Sequence, residues 1–172
     1  MEPNQAFAQS LREARLPRYS QLPTLELYKD QLVELTNGYL APFFLGETAV
    51  TDTMVNNYVK LKVIAPPVKK RYRREQLAQL ILTCLLKKVL SIAEVRQLLA
   101  AQSQEGASEA GYDYFCQRME QAIRAVGGNV DLWQQTENVG SPRETLLDHA
   151  ICSFVHKLYF EMILAELSET VE

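Results

Sequence analysis

No stretch of this sequence is apolar for long enough to cross a bilayer. The longest such run, Leu80 to Leu86, stops at Lys87-Lys88, far short of the roughly 20 residues that a span needs. The first residues, Met1 to Gln5, lack the basic start and apolar stretch of a signal peptide, so a cytoplasmic protein without membrane contact is expected. Cysteine is scarce. Cys84, Cys116 and Cys152 are odd in number and widely spaced, which argues against a disulfide framework and leaves each as a small packing residue. Glycine is rare too, at 7 residues, and there is no Gly-rich phosphate loop, no Gly-x-Ser-x-Gly and no His-Glu-x-x-His. With two histidines and no nucleophile motif, the chain is not expected to be an enzyme, and no cofactor is expected.

What remains favours helix. Leu, Ala, Glu, Gln and Lys dominate a chain of 172 residues, long enough to bury a core without staples. Residues 3–15 predict a first amphipathic helix, with Phe7, Leu11 and Ala14 on one side, followed by a proline-containing connector over 16–23. Leu25, Tyr28, Leu32 and Leu35 share one face of a helix over 24–37 that ends at Asn37-Gly38. Thr51 is an N-cap for a short helix reaching about Lys62, whose buried side is Met54, Val55, Tyr58 and Leu61. Pro66-Pro67 interrupts regular structure. A strongly periodic helix follows over 73–89, and Ser91-Ile92-Ala93-Glu94 is a capping box opening the next one.

The second half reads in the same way. Residues 102–108 are the best domain boundary, and 109–126 predict a helix with Tyr112, Phe115, Cys116, Met119, Ile123 and Val126 in a stripe. Ser141-Pro142-Arg143-Glu144 combines an N-cap, a first-turn proline and a capping glutamate. The helix it starts reaches about Leu167, and it is so broadly apolar that it needs covering on more than one side, by its own domain or by a second subunit. No coiled-coil heptad is sustained long enough to name.

The net charge of −3 hides a strong asymmetry. Residues 51–90 hold nine Lys/Arg against Asp52 and Glu75, a net of +7. Residues 101–172 hold twelve acids against four bases, a net of −8. Such segregation suits a protein with one face for a polyanion. Within the basic segment, a helix that buries Met54, Val55 and Tyr58 leaves Thr53, Asn56, Asn57 and Lys60 outside. Asn makes paired hydrogen bonds to adenine, and Thr meets the thymine methyl. Lys60, Lys62 and the run Lys69-Lys70-Arg71-Tyr72-Arg73-Arg74 supply the clustered cations that phosphate neutralisation requires.

The order of these elements resembles the MerR-type winged helix-turn-helix regulators. The matching residues are Asn57-Tyr58 on the helix, Val63 to Pro67 at the turn, Arg71-Tyr72 in the wing and Ser91 to Leu99 beyond it. More specifically, Met54-Val55-Asn56-Asn57-Tyr58 and Pro66-Pro67-Val68-Lys69-Lys70-Arg71-Tyr72 are similar to a bacterial family, domain of unknown function 1836, over about residues 23–100. The resemblance implies an all-α fold: a winged helix-turn-helix with a minimal β wing, followed by a helical C-terminal extension. It implies a DNA-binding transcriptional regulator. The arginine that MerR relatives place before the helix aromatic is Asn56 here, and their turn glycine is Lys62, so base preference and wing geometry do not carry over.

The expected organisation is an N-terminal helical arm (1–22), a DNA-binding domain (23–101) and a helical dimerisation or effector region (108–172). The expected function is a sequence-specific regulator of double-stranded DNA, as a repressor and a homodimer, because one short recognition helix reads too few base pairs. Thr53, Asn56 and Asn57 would touch base edges. Lys60, Lys62, Lys69, Lys70, Arg71, Arg73 and Arg74 would hold phosphates, and Tyr72 would pack the wing or bond a phosphate. The alternative is a protein-interaction adaptor whose basic segment meets an acidic partner.

Three other constellations carry less. His149, Cys152 and His156 share one helix face and are ligand types for zinc or copper, but at the edge of an apolar stripe they read as packing residues, and no metal site is expected. Asp113, Glu120, Asp148 and Glu161 read as solvated acids. Tyr112, Phe115, Met119, Trp133, Phe154, Tyr159 and Met162 read as core, with a pocket for an unknown small-molecule effector as the minority alternative.

Overall fold

The computed structural model describes residues 9–102, 109–127 and 141–169. Six helices account for most of them: α1 (Lys29–Leu40), α2 (Asp52–Lys60), α3 (Arg74–Leu86), α4 (Ile92–Gln102), α5 (Glu109–Gly127) and α6 (Pro142–Glu169). Short 3-10 turns lie at Tyr19–Gln21 and Ala41–Phe43. Among the described residues, extended pairing is limited to two antiparallel bridges, Leu27 with Tyr72 and Val68 with Arg71.

Helix α3 is the centre. Ten of its 13 residues, Gln76 to Leu86 except Gln79, are buried. A helix apolar on every side must be surrounded, and α1 and α6 pack against it. Its two glutamines have a separate task. Gln76 Nε2 donates to the carbonyls of Ala65 (3.0 Å) and Pro66 (2.8 Å), and Gln79 Oε1 accepts from the Ala65 N–H at 3.3 Å. The proline turn is thereby fastened to the core.

The caps read from the sequence are present. Met54 N–H donates to Thr51 Oγ1 at 3.3 Å. Ser91 N–H donates to Glu94 Oε2 at 2.7 Å while Glu94 N–H donates to Ser91 Oγ at 3.3 Å. Ser141 and Glu144 form the same reciprocal pair. Each satisfies backbone donors that the first helical turn leaves without partners.

Helix α1 differs from expectation. It begins at Lys29, where Tyr28 N–H donates to the Gln31 side chain, and it runs through Asn37-Gly38 to Leu40. Leu25 is 78% exposed and Tyr28 48%; neither belongs to the helix. Asn37 does not end it but clasps the following connector, donating to Val50 O (2.9 Å) and accepting from Val50 N–H (3.0 Å). Leu61, expected inside, lies just past the end of α2 and is exposed.

The described residues share one hydrophobic cluster, from Leu11 to Leu158. The N-terminal segment joins it through Leu11, Leu16, Tyr19 and Leu22 and is tied to α5: Tyr19 N–H donates to Asp113 Oδ1 (2.7 Å), and the Tyr19 and Tyr112 rings meet edge-on at 6.1 Å. The boundary expected over 102–108 falls almost entirely outside the described residues. Phe7 and Trp133 lie outside them too.

Asp113, Glu120, Asp148 and Glu161, expected to be solvated, are partnered. Glu120, 8% exposed, receives Arg18 at 2.9 Å, with Arg124 and Arg15 at 3.7 and 3.8 Å. Asp148, 6% exposed, accepts two hydrogen bonds from Arg118 at 2.7 and 2.8 Å. Glu161 receives Lys88 at 2.8 Å and Lys157 at 3.2 Å. These pairs join the N-terminal segment, α5, α6 and the end of α3. No helix among the described residues is long and apolar enough to cross a membrane.

Candidate nucleic-acid interface

Helix α2 buries Val55 and Tyr58, half-buries Met54 and leaves Thr53, Asn56, Asn57 and Lys60 exposed, the outward face its sequence predicts. Burial pushes the Tyr58 hydroxyl up to about 12, so it stays neutral in the core. The helix ends in a Schellman motif. Val63 N–H donates to Tyr58 O (2.9 Å) and Lys62 N–H to Val59 O (3.0 Å). This places Lys62 at φ +58°, the left-handed position usually given to glycine.

The chain then passes the clamped Ala65-Pro66 and turns back on itself. Val68 and Arg71 exchange both backbone hydrogen bonds, at 3.0 and 2.9 Å, closing a two-residue hairpin. Its tip is Lys69-Lys70, at φ +49° and +64°. Positive φ at both tip residues is the type I′ arrangement, whose preferred residues are Asn and Gly. Leu27 and Tyr72 also exchange two bonds of 2.8 Å, which anchors the hairpin base to the strand-like residue ahead of α1.

Four non-glycine residues among those described have positive φ: Leu45, Lys62, Lys69 and Lys70. Three are lysines of this one segment. A left-handed conformation costs an L-residue about 1–2 kcal/mol, so the segment stores roughly 3 kcal/mol or more in placing cations where glycine or asparagine would be relaxed. All three are exposed, and none of Lys60, Lys62, Lys69 and Lys70 forms an ion pair among the described residues.

Arg71 belongs to the same surface. Its guanidinium lies 3.6 Å from the centroid of the Tyr28 ring and donates to Tyr28 Oη at 2.5 Å. The next residue, Lys29, contacts Asn56 Oδ1 at 3.4 Å and Asp52 at 3.4 Å. Tyr28-Lys29 thus bridges the hairpin base to the amide face of α2. Sequence reasoning missed this role for Tyr28, because its spacing from Leu32 and Leu35 fits a helix face equally well.

The other expected phosphate contacts divide. Tyr72 is 4% exposed. Its side chain packs in the hydrophobic cluster. Arg73 Nε pairs with Glu26 at 3.1 Å. Arg74 is half-buried, with its guanidinium 5.4 Å from the Tyr19 ring centroid. Both line an open cleft of about 290 Å3 with Tyr19, Thr24, Glu26 and Glu75, in which two carboxylates offset them.

On α6, His149 and His156 are exposed and Cys152 is half-buried. Among the described residues no three His, Cys, Asp or Glu side chains gather in a way that could hold a metal. Cys84 and Cys116 are buried, which raises each thiol to about 12 and keeps it protonated. Tyr112, Phe115, Met119, Phe154 and Met162 are buried core, and Tyr159 is half-buried against it, its hydroxyl donating to Ile123 O at 3.2 Å.

These features define an all-helical protein with a strained basic hairpin set beside a short amide-bearing helix. The chain belongs to the family described as Domain of unknown function (DUF1836), whose model matches residues 17–115. That range runs from the N-terminal connector through the hairpin into α5, more than half of the chain. No curated protein and no solved structure matches it.

Proposed function

We propose that this protein is a sequence-specific DNA-binding transcriptional regulator of the MerR-like winged-helix type, acting as a homodimer. Helices α1 and α2 are the helix-turn-helix, α2 is the recognition helix, and the hairpin 68–71 is the wing. The observation that carries the reading is the run of three exposed lysines in left-handed backbone positions. Backbone strain that persists at the surface marks a position selected for something other than stability, and clustered unpaired cations suit phosphate.

The roles follow from placement. Thr53, Asn56 and Asn57 stand on the exposed face of α2, where base edges are read. Lys60, Lys62, Lys69, Lys70 and Arg71 neutralise backbone charge. Tyr28 holds Arg71 flat, and a ring-stacked guanidinium is pre-set for a phosphate.

A second reading, an adaptor for an acidic protein, is favoured by one observation: Leu25 and Val68, 78% and 53% exposed, flank the cations with apolar surface. Selection of bound fragments from random DNA, followed by titration at graded salt, separates the two. A regulator enriches a defined, two-fold symmetric sequence and binds it far more tightly than bulk DNA. Weak binding without enrichment would overturn the proposal and leave the adaptor.

A further inference from the structure

The cleft of about 290 Å3 beside the hairpin base is lined by Tyr19, Thr24, Glu26, Arg73, Arg74 and Glu75. Three separate stretches build it: the segment ahead of α1, the residue after the hairpin and the first turn of α3. Each wall is held from behind. Leu27 and Tyr72 exchange two backbone bonds of 2.8 Å, Arg73 N–H donates to Gln76 Oε1 at 2.6 Å, and Tyr19 N–H donates to Asp113 Oδ1 at 2.7 Å. The cleft is therefore formed before anything enters it, as small-molecule sites usually are.

Its four charges do not cancel in pairs. Arg73 and Glu26 close on each other at 3.1 Å. Arg74 and Glu75 have no ion pair among the described residues. Neighbouring positions on a helix point about 100° apart, so these two do not face each other. The Arg74 guanidinium lies 5.4 Å from the centroid of the Tyr19 ring, and its Nε is buried without a hydrogen-bond partner. A half-buried cation without a counter-ion costs stability. Glu75 is exposed but acts on the same space: burial and this nearby carboxylate push the Tyr19 hydroxyl up, so it stays protonated.

We infer that this cleft binds a small zwitterion of the α-amino acid class, with its carboxylate on Arg74 and its ammonium on Glu75. The chemistry follows from what is left over, one cation and one carboxylate that share a cleft and do not meet. A simple anion entering here faces Glu26 and Glu75 as well as the arginines, and a simple cation faces Arg73 and Arg74. A molecule carrying both signs answers both. The Thr24 hydroxyl can donate to a carboxylate or accept from an ammonium. The volume lies at the lower edge of the range for drug-sized ligands, about 300–1,000 Å3, which suits a compact molecule. The inference goes beyond the proposed function, and the site stands whether or not the hairpin meets DNA.

The test is a titration of the full, isotopically labelled chain at constant ionic strength, followed by backbone amide NMR shifts. Glycine and L-glutamine are the zwitterions; acetate and methylammonium are the half-ligands. The zwitterions are expected to give saturable shifts centred on Tyr19, Thr24, Glu26 and Arg73 to Glu75, with dissociation of millimolar order or tighter. R74Q and E75Q each remove one charge-assisted contact and should weaken glycine roughly tenfold. If R74Q loses the folded spectrum, E75Q, at an exposed position, decides. Acetate or methylammonium binding as tightly as glycine overturns the inference and leaves a site for ions of one sign. Shifts that never saturate, or a glycine affinity that E75Q leaves unchanged, overturn it too.

Discussion

Replacing Lys69-Lys70 by Asn-Gly should make the protein more stable and a poorer DNA binder. Both residues hold positive φ, at +49° and +64°. Each left-handed lysine costs about 1–2 kcal/mol, which asparagine partly and glycine wholly avoids. Glycine gives back about 0.5–1 kcal/mol in chain entropy. The net gain is therefore about 1–2 kcal/mol for the pair, or roughly 2–8 °C in Tm for a chain of this size. Two lost phosphate contacts remove about 1.8 from the slope of log K against log salt per protomer, at 0.9 each. Thermal melts and salt titrations on one preparation read both effects. A lower Tm would refute the strain argument, and an unchanged slope would show that the tip does not meet phosphate.

Three further outcomes follow from individual side chains. Asn57→Ala should change which base is preferred at one position by about 1–3 kcal/mol, read by competition among single-base variants of the selected site; equal weakening on all DNA would mean that α2 does not read bases. Arg118→Ala strands the 6%-exposed Asp148 and should cost about 3–5 kcal/mol of unfolding free energy, whereas a loss under 1 kcal/mol would show the pair to be ornamental. Burial opposes the charge on Glu161, but hydrogen bonds from Lys88 and Lys157 outweigh it and hold its pKa below the usual 4.5. A depressed acid stabilises above its unfolded pKa and loses that contribution as pH falls through the folded value. The gap in melting temperature between Glu161→Gln and wild type should therefore narrow as pH falls below 4.5; a gap that stays constant through acid titration would sink the assignment.

The sequence was most readable where structure is decided locally. The reciprocal caps Ser91–Glu94 and Ser141–Glu144 need only a three-residue spacing, and the outward face of α2 needs only periodicity. What was hidden depends on distant partners. Nothing near Lys69-Lys70 announces a type I′ turn, because its usual residues are absent; Gln76 and Gln79 impose it from the side by pinning Ala65-Pro66, and Leu27 by pairing with Tyr72. Tyr28 satisfies a helical spacing and yet lies outside the helix, since the Gln31 side chain caps its N–H. The acids at 113, 120, 148 and 161 found partners as far as 102 residues away, a distance over which spacing carries no information.

Charge pairing sharpens the asymmetry of the sequence into a surface. Arg15, Arg18, Arg118, Arg124, Lys88 and Lys157 are each matched to a carboxylate inside the helical frame, and Arg73 is matched to Glu26. Of the seven cations that sequence reasoning assigned to phosphates, Lys60, Lys62, Lys69 and Lys70 are exposed without an acid, and Arg71, half-buried against the Tyr28 ring at the hairpin base, has none either; Arg74, half-buried too, lies in the cleft beside Glu26 and Glu75. At 0.9 per contact the salt slope is then about 4.5 per protomer, against about 6.3 if Arg73 and Arg74 also took part. The same division predicts that Arg71→Ala removes nearly a full contact while Arg73→Ala removes little. A slope near the higher figure, or equal losses from the two arginines, would mean that DNA draws Arg73 away from Glu26. The cleft beside Tyr19 would then belong to the interface rather than to the frame that supports it.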